Sequence, residues 1–302
     1  MKILITGANG FIAQHIVIKL LENTGYEIIA TSKSEDKLRW SMGGERYRFE
    51  VMDICDLQFL SFIERENPDV IIHAAAMGSA DECELDREKA LNVNVIATRN
   101  LADAARRIGV KFIFLSTDFV FDGKKGSTYL EEDVTCPVNY YGQTKVLAED
   151  YIIEHLDDYV IIRLCAVYGD AFYGKARGII TMTVEKLSDG KCINVVGDQI
   201  RTPTYVGDIA VAIERIIRVD GKGVFHVSGN EIYTPYEMAV AAAEYFNLDT
   251  SLINKGASDF INEPATRPRY TGFVIDKAVK ELDFVPTSLV RGIEKMNKKT
   301  EK

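Results

Sequence analysis

Short apolar runs alternate with helix-spaced apolar positions through the first half of the chain. The runs Lys2–Thr6, Tyr26–Thr31, Tyr47–Val51, Val70–His73, Lys111–Ser116 and Tyr159–Leu164 read as buried strands. Between them, segments 11–23, 56–66, 85–108 and 140–155 carry charges on one presumed outer face and read as helices. This rhythm predicts βαβ units and a parallel sheet. After Gly169 it loosens into a helix at Ile179–Leu187, a strand at Ile193–Val196 and a helix at Gly207–Ile217. A strand at Val224–Val227 and a helix at Pro235–Phe246 follow. The expected fold class is α/β, a Rossmann-type doubly wound parallel sheet with a smaller, interleaved C-terminal lobe.

The first strand runs into Gly7-Ala8-Asn9-Gly10, a tight turn, and then a helix with Ile12, Ile16 and Leu20 on one face. A strand, a glycine turn and a helix start make a diphosphate site. Glycine lets the backbone approach the phosphates, and the helix's free N–H groups and dipole favour negative charge. Ala13 stands where a third glycine is common, and a small residue there still allows close packing. An ordinary βα turn is the alternative. On the dinucleotide reading, residues 1–165 form an NAD(P)-binding Rossmann domain to which the chain returns around 190–225, and 166–302 mainly build the substrate lobe. No Pro/Gly-rich linker separates them.

Ligands of such sheets bind beyond the carboxyl ends of the strands. Gly7, Gly10, Phe11 and Ile12 are therefore cofactor candidates. So are Ser32 and Lys33 after the second strand, where an NAD-preferring site often places an acid. Lys33, with Arg39, suits a 2′-phosphate and hints at NADPH over NADH, although either cation can equally be solvated surface. Asp53 and Ile54 can flank an adenine. Ala74, Ala75 and Ala76 are small enough for the cofactor to pass close, or for a buried helix to cross.

Further on, Ser116-Thr117-Asp118 precedes Tyr141-Gly142-Gln143-Thr144-Lys145. Helix positions four apart share a face, so Tyr141 and Lys145 can enter one pocket. A nearby ammonium stabilises a phenolate and lowers the tyrosine pKa from roughly 10. A carbonyl under reduction needs a proton donor at oxygen, and Thr117 can help hold that oxygen. Tyr-x-x-x-Lys alone is weak, and an exposed Tyr and Lys on a surface helix is the competing reading.

With 302 residues, 47% of them hydrophobic, the chain can bury a large core. Its net charge of −9 disfavours nucleic acid and anionic membrane as partners. No apolar run approaches the ~20 residues that cross a bilayer, and no export signal is read at the N-terminus. Cys55, Cys83, Cys136, Cys165 and Cys192 are scattered, which fits reduced thiols and a cytoplasmic location. His15, His73, His155 and His226 lack zinc-type spacing, so no catalytic metal is expected.

Thr6–Ile12, His73-Ala74-Ala75-Ala76, the run Ser116–Gly123 and Tyr141-x-x-x-Lys145 together resemble the extended short-chain dehydrogenase/reductase superfamily. Within it the sequence is most similar to the dTDP-4-dehydrorhamnose reductases. Glu131–Asp133, Pro137–Asn139, Val196–Gln199 and Pro203–Asp208 extend the likeness over nearly the whole chain. The resemblance implies that Thr117, Tyr141 and Lys145 are the catalytic set, with Tyr141 and Lys145 also touching the cofactor, NADPH or NADH. It further implies a nucleotide-sugar substrate reduced at C4. Asp118 and Phe119 are assigned to the substrate, and Arg201 to a diphosphate clamp or, alternatively, a structural salt bridge. Arg267-Pro268 resembles a segment near the substrate lobe. Some members dimerise, which leaves a homodimer open.

Departures bear on specificity. Phe119 and Ala166 stand where the rhamnose reductases often carry Tyr and Trp, so the hexose is open. The acid pair of the related dehydratases is missing after Thr117, and Val120-Phe121-Asp122-Gly123 differs from the epimerases' usual run. Reduction is favoured over epimerisation. A second class also resembles these reductases: the non-catalytic regulatory subunit of methionine adenosyltransferase.

Overall fold

Ile3 and Ile5 point to one side of the first strand and Leu4 to the other, and all three are fully buried. Both faces of the sheet must therefore be covered by other elements. The computed structural model describes residues 1–23, 25–38, 44–174, 178–260 and 263–300. In it β1 (Lys2–Thr6) leads into α1 (Phe11–Asn23), β2 (Glu27–Ser32), β3 (Tyr47–Val51), α2 (Leu57–Glu66) and β4 (Val70–His73). Then come α3 (Ala80–Leu85), α4 (Arg87–Leu91), α5 (Ala97–Ile108), β5 (Lys111–Thr117), α6 (Tyr140–His155) and β6 (Tyr159–Leu164). The chain continues through β7 (Val167–Tyr168), α7 (Ile179–Ser188), β8 (Ile193–Val196), β9 (Thr204–Tyr205) and α8 (Val206–Val219). It ends with β10 (Gly223–Val227), α9 (Pro235–Tyr245), β11 (Ile253–Gly256), α10 (Asp276–Leu282) and α11 (Leu289–Thr300).

Seven parallel strands form the main sheet in the order β10-β6-β5-β4-β1-β2-β3. It is a Rossmann-type doubly wound sheet. One face packs Ile3 and Ile5 with Ile16 and Leu20 of α1 and Ile209 and Ile213 of α8. The other packs Leu4 and Phe112 with Phe59 of α2, Leu101 of α5 and Ile152 of α6. Strand order reverses where β1 lies between β2 and β4, which opens a crevice at their carboxyl ends. β10 rejoins this sheet at its edge beside β6, whereas β8 pairs with β11 in a separate two-stranded ladder. That ladder packs on α7 and α9 through Leu187, Ile193, Val195, Ala239, Ala243 and Ile253, a small core beside the main one.

The single helix read over 85–108 is in fact broken. Asp86 leaves helical geometry at φ −131° and its carboxylate accepts from the Lys89 N–H, capping α4. A short acid can bond the backbone locally and so competes with helix continuation. A π-helical turn then spans Asn92–Ile96 before α5. Among the described residues no helix is long and apolar enough to cross a membrane.

Candidate active site

Glycine shapes the floor of the crevice. Gly7 has φ +67°, and a β-carbon there would lie 2.7 Å from the Ala75 Cα. The end of β4 therefore runs against the turn, and only glycine fits both constraints. The Gly10 N–H donates to Gly7 O at 2.7 Å, and the Ala8 N–H to Thr31 O at 2.9 Å. Phe11 opens α1, whose first N–H groups have no partner within the helix. Gly7, Gly10, Phe11, Ile12 and Ala74–Ala76 thus share one crevice. Ser32 ends the neighbouring β2. Lys33, next to it, is exposed and makes no hydrogen bond or ion pair with a described residue. Asp53 and Ile54 follow β3. The Asp53 carboxylate accepts from the Cys55 N–H at 3.0 Å, and Ile54 is buried in the core. Arg39 lies outside the described residues.

Thr117 closes β5 and caps the following 3-10 turn, Asp118–Val120, by accepting from the Phe119 N–H at 3.2 Å. Its hydroxyl donates to Asp118 Oδ1 at 3.1 Å. Across from it, Asn139 starts α6: its carboxamide oxygen accepts from the Gly142 N–H at 2.8 Å and its nitrogen donates to Thr266 O at 2.8 Å. The helix start is thereby tied to the later lobe. Tyr141 follows, its ring edge-on to Phe119 at 6.2 Å between centroids and lining the same cleft as Thr117. Lys145 sits one turn on, 3% exposed, with its ammonium 4.1 Å from the centre of the Phe114 ring.

The electrostatics differ from the sequence expectation. Burial pushes the Tyr141 phenol above the ordinary tyrosine value. The Thr117 side chain pulls it down, while Asp118 and Cys83 add to the rise. Lys145 takes no part in that shift. Its own pKa is lowered to about 8 by burial, against the pull of Glu149 and Cys83. The reason is placement: the ammonium faces the Phe114 ring. Tyr141 is a neutral phenol at pH 7, the form a proton donor needs.

The cleft above these residues has a volume of about 590 Å³. Thr117, Phe119 and Tyr141 face it from the sheet, and Ile179, Met182 and Met238 from the lobe. Asp118 borders it too, but is 3% exposed and held by the Thr271 hydroxyl, the Cys165 thiol and the Arg201 guanidinium. Burial pushes its carboxyl up, and Arg201 leads the groups that hold it down. Arg201 also lines the cleft, but its guanidinium is engaged by protein groups. Its terminal nitrogens donate to Ile200 O, Arg269 O, Pro268 O and Gln199 Oε1 at 2.8–3.3 Å, and its Nε faces Asp118 at 3.6 Å. Arg267 grips Asp81 of α3 through two bonds of 2.6 and 2.7 Å.

Sequence reasoning missed Asn94. Buried in the π-helical turn, it accepts from the Met77 N–H at 2.8 Å and donates to Met77 O and to the Thr144 hydroxyl, both at 3.1 Å. Thr144 in turn donates to Tyr141 O at 2.7 Å, so Asn94 props the turn that carries the tyrosine. The one signal was a polar residue at a core position, between Val93 and Val95.

This geometry agrees with what comparison finds. Residues 1–301 match the RmlD substrate binding domain family. The chain belongs to that family. The spore coat polysaccharide biosynthesis protein SpsK of Bacillus subtilis is 32% identical over 94% of this chain and 93% of its own. Methionine adenosyltransferase 2 subunit beta of Rattus norvegicus is also 32% identical, over 83% of this chain and 73% of that protein. A dTDP-4-dehydrorhamnose reductase of Bacillus anthracis, solved in complex with NADP, superposes with a TM-score of 0.86 at 29% identity, covering 99% of both chains. The likeness to the solved reductase spans the sheet and the lobe together, so the cleft between them lies within the shared fold.

Proposed function

We propose that this protein is an NAD(P)H-dependent reductase of a 4-keto-6-deoxy nucleotide sugar, dTDP-4-dehydrorhamnose reductase-like, serving deoxysugar or surface-polysaccharide synthesis. One observation carries the reading: Thr117 and Tyr141 line one cleft beside the glycine crevice, with Lys145 one helical turn on from the tyrosine. The family match and the reductase solved in complex with NADP support it.

The residues fit the cofactor. The Gly7–Gly10 turn and the start of α1 form a cradle for a diphosphate, and Lys145 presents an ammonium that has no hydrogen bond to a described residue. Lys145 holds the nicotinamide ribose, Ala74–Ala76 let the dinucleotide pass, and Lys33 with Ser32 meets the adenosine end. Bound NAD(P)H supplies the hydride that reduces the sugar C4. Thr117 turns its hydroxyl from Asp118 to donate to the carbonyl oxygen, and Tyr141 delivers its phenolic proton to that oxygen as negative charge develops. The resulting tyrosinate is reprotonated from water. Phe119 and the small Ala166, which adopts φ +42°, shape the pocket for a sugar whose identity the test must settle.

A second reading, a non-catalytic cofactor-binding subunit, is favoured by two observations: the methionine adenosyltransferase relative and the engagement of Arg201 by protein acceptors. The deciding experiment follows loss of reduced-nicotinamide absorbance with dTDP-4-keto-6-deoxy-L-mannose, with NADPH and NADH run in parallel, for the wild type and Tyr141→Phe. Turnover that falls by about 10²–10⁴-fold in the variant supports the reductase. Unchanged turnover removes Tyr141 as the donor, and no turnover of this or other 4-keto nucleotide sugars, with the reduced dinucleotide still bound, favours the subunit.

A further inference from the structure

Gln14, on α1, is 1% exposed and lies on no face that the reaction above uses. Its carboxamide nevertheless joins two segments. The nitrogen donates to Asn9 O at 2.9 Å and to Tyr173 O at 3.2 Å, and the oxygen accepts from the Tyr173 N–H at 2.9 Å. The pair of bonds to Tyr173 copies the way one peptide group pairs with another. Next along the helix, His15 is bonded to Asp170 O at 2.7 Å, and its ring lies 4.6 Å from that of Phe172. A strap of residues 170–173 is thus fastened across the start of α1.

The fastening continues on the other side. Asn9, inside the glycine turn, donates to Ser34 O, Ser34 Oγ and Glu35 O at 2.9–3.2 Å and accepts from the Lys37 N–H at 3.0 Å. The Lys37 ammonium lies 5.6 Å from the centre of the Tyr173 ring, which closes the circuit. Three parts needed separately by the proposed reaction are therefore linked through Gln14 and Asn9. They are the diphosphate turn, the loop that follows Ser32 and Lys33, and the strap that follows β7, whose Val167 and Tyr168 line the cleft.

We propose that Gln14 is a positioning residue that couples the two binding sites, so that a reduced dinucleotide and a nucleoside-diphosphate sugar raise each other's affinity. This rests on the function proposed above. Ordering the glycine turn from the cofactor side fixes Asn9 and hence the orientation of the Gln14 amide. That amide then holds the strap and the cleft wall behind it in the arrangement the sugar nucleotide meets. The strap cannot shift without leaving buried polar groups unpaired. By linkage, the effect is the same in either order of binding.

The test titrates dTDP into the folded protein by calorimetry, with and without saturating NADPH, and checks each variant by thermal unfolding. In the wild type, NADPH tightens dTDP binding by about tenfold. In Gln14→Leu that factor falls to about one, while dTDP affinity without cofactor stays within about twofold. Gln14→Glu keeps the acceptor for the Tyr173 N–H, loses both donor bonds and gives an intermediate factor. Lys37→Met, a surface change that leaves the core untouched, also lowers the factor and decides the matter if Gln14→Leu does not fold. Coupling that persists in the folded variants, or that is absent in a wild type binding both probes, overturns the proposal. A wild type that binds no reduced dinucleotide, or no dTDP, overturns the functional reading and this one with it.

Discussion

Gly142, in the first turn of α6, lies against the carbonyl oxygen of Phe119 so closely that a β-carbon at 142 would overlap it. Its backbone is ordinary helix, so space and not conformation requires glycine here. The contact sets the distance between the helix that carries Tyr141 and Lys145 and the strand end that carries Thr117. Alanine in a helix is ordinarily favoured over glycine by about 1 kcal/mol. Gly142→Ala is expected to do the reverse, lowering the unfolding free energy by roughly 1–3 kcal/mol through overpacking. Turnover should fall by about 10²-fold, because a misplacement near 1 Å separates donor and acceptor. Thermal unfolding and steady-state kinetics on one preparation check both; a stabilised, fully active variant would show that the strand end yields easily.

Lys145 has a stability consequence with a definite pH sign. Its folded pKa, about 8, lies below the ordinary lysine value of 10.5, so folding disfavours the ammonium. The penalty is complete below pH 8, shrinks as pH rises from there and is gone above the unfolded value of 10.5. Lys145→Met should therefore abolish turnover yet stabilise the protein near pH 7, by up to roughly 3 kcal/mol. The advantage should fade toward pH 10. Urea unfolding of both proteins across this range measures it. A variant less stable than wild type at pH 7 would mean that the ammonium has compensating interactions.

The local chemistry was legible because it depends on near neighbours in the chain. The glycine turn and the four-residue spacing of Tyr141 and Lys145 are each contained in a few residues, and β6 and α6 fall on their expected bounds. The break at Asp86 was harder to read, since Asp also occurs on helix surfaces and its cap to Lys89 is visible only in the fold. Asn94 was invisible for a different reason. Its partners Met77 and Thr144 lie 17 and 50 residues away, and no periodicity reports such a contact. Likewise, nothing in Arg201 and its neighbours said that Pro268 and Arg269 would supply acceptors across the lobe.

Lys33 offers a test of cofactor choice. It is exposed at the end of β2, next to Ser32, and is not engaged by any described acid. If it pairs with a 2′-phosphate there, Lys33→Ser should raise the KM for NADPH by about tenfold, the size of one charge-assisted contact, and leave that for NADH within about twofold. Parallel kinetics with both nucleotides provide the comparison. Equal effects on the two would assign Lys33 to bulk surface charge.

Arg201 allows the two sequence readings, diphosphate clamp and structural ion pair, to be separated. Its five N–H groups all face protein: four reach three carbonyl oxygens and the Gln199 side chain, and the fifth faces Asp118. A lysine has three donors on one atom and cannot reproduce that fork. Arg201→Lys is therefore expected to lose stability, by roughly 2 kcal/mol or more, because carbonyls and a buried carboxylate are left without donors. Arg201→Met should cost about 3–5 kcal/mol, as expected when one partner of a buried pair is removed. Combining it with Asp118→Asn should recover part of that loss, with a coupling of roughly 0.5–3 kcal/mol. In each folded variant dTDP affinity should change by no more than about threefold, since the guanidinium is already engaged. The opposite pattern, stability retained and dTDP affinity lost by 10²-fold or so, would place Arg201 on the phosphates. It would also require its bonds to Pro268 and Arg269 to open when the nucleotide binds.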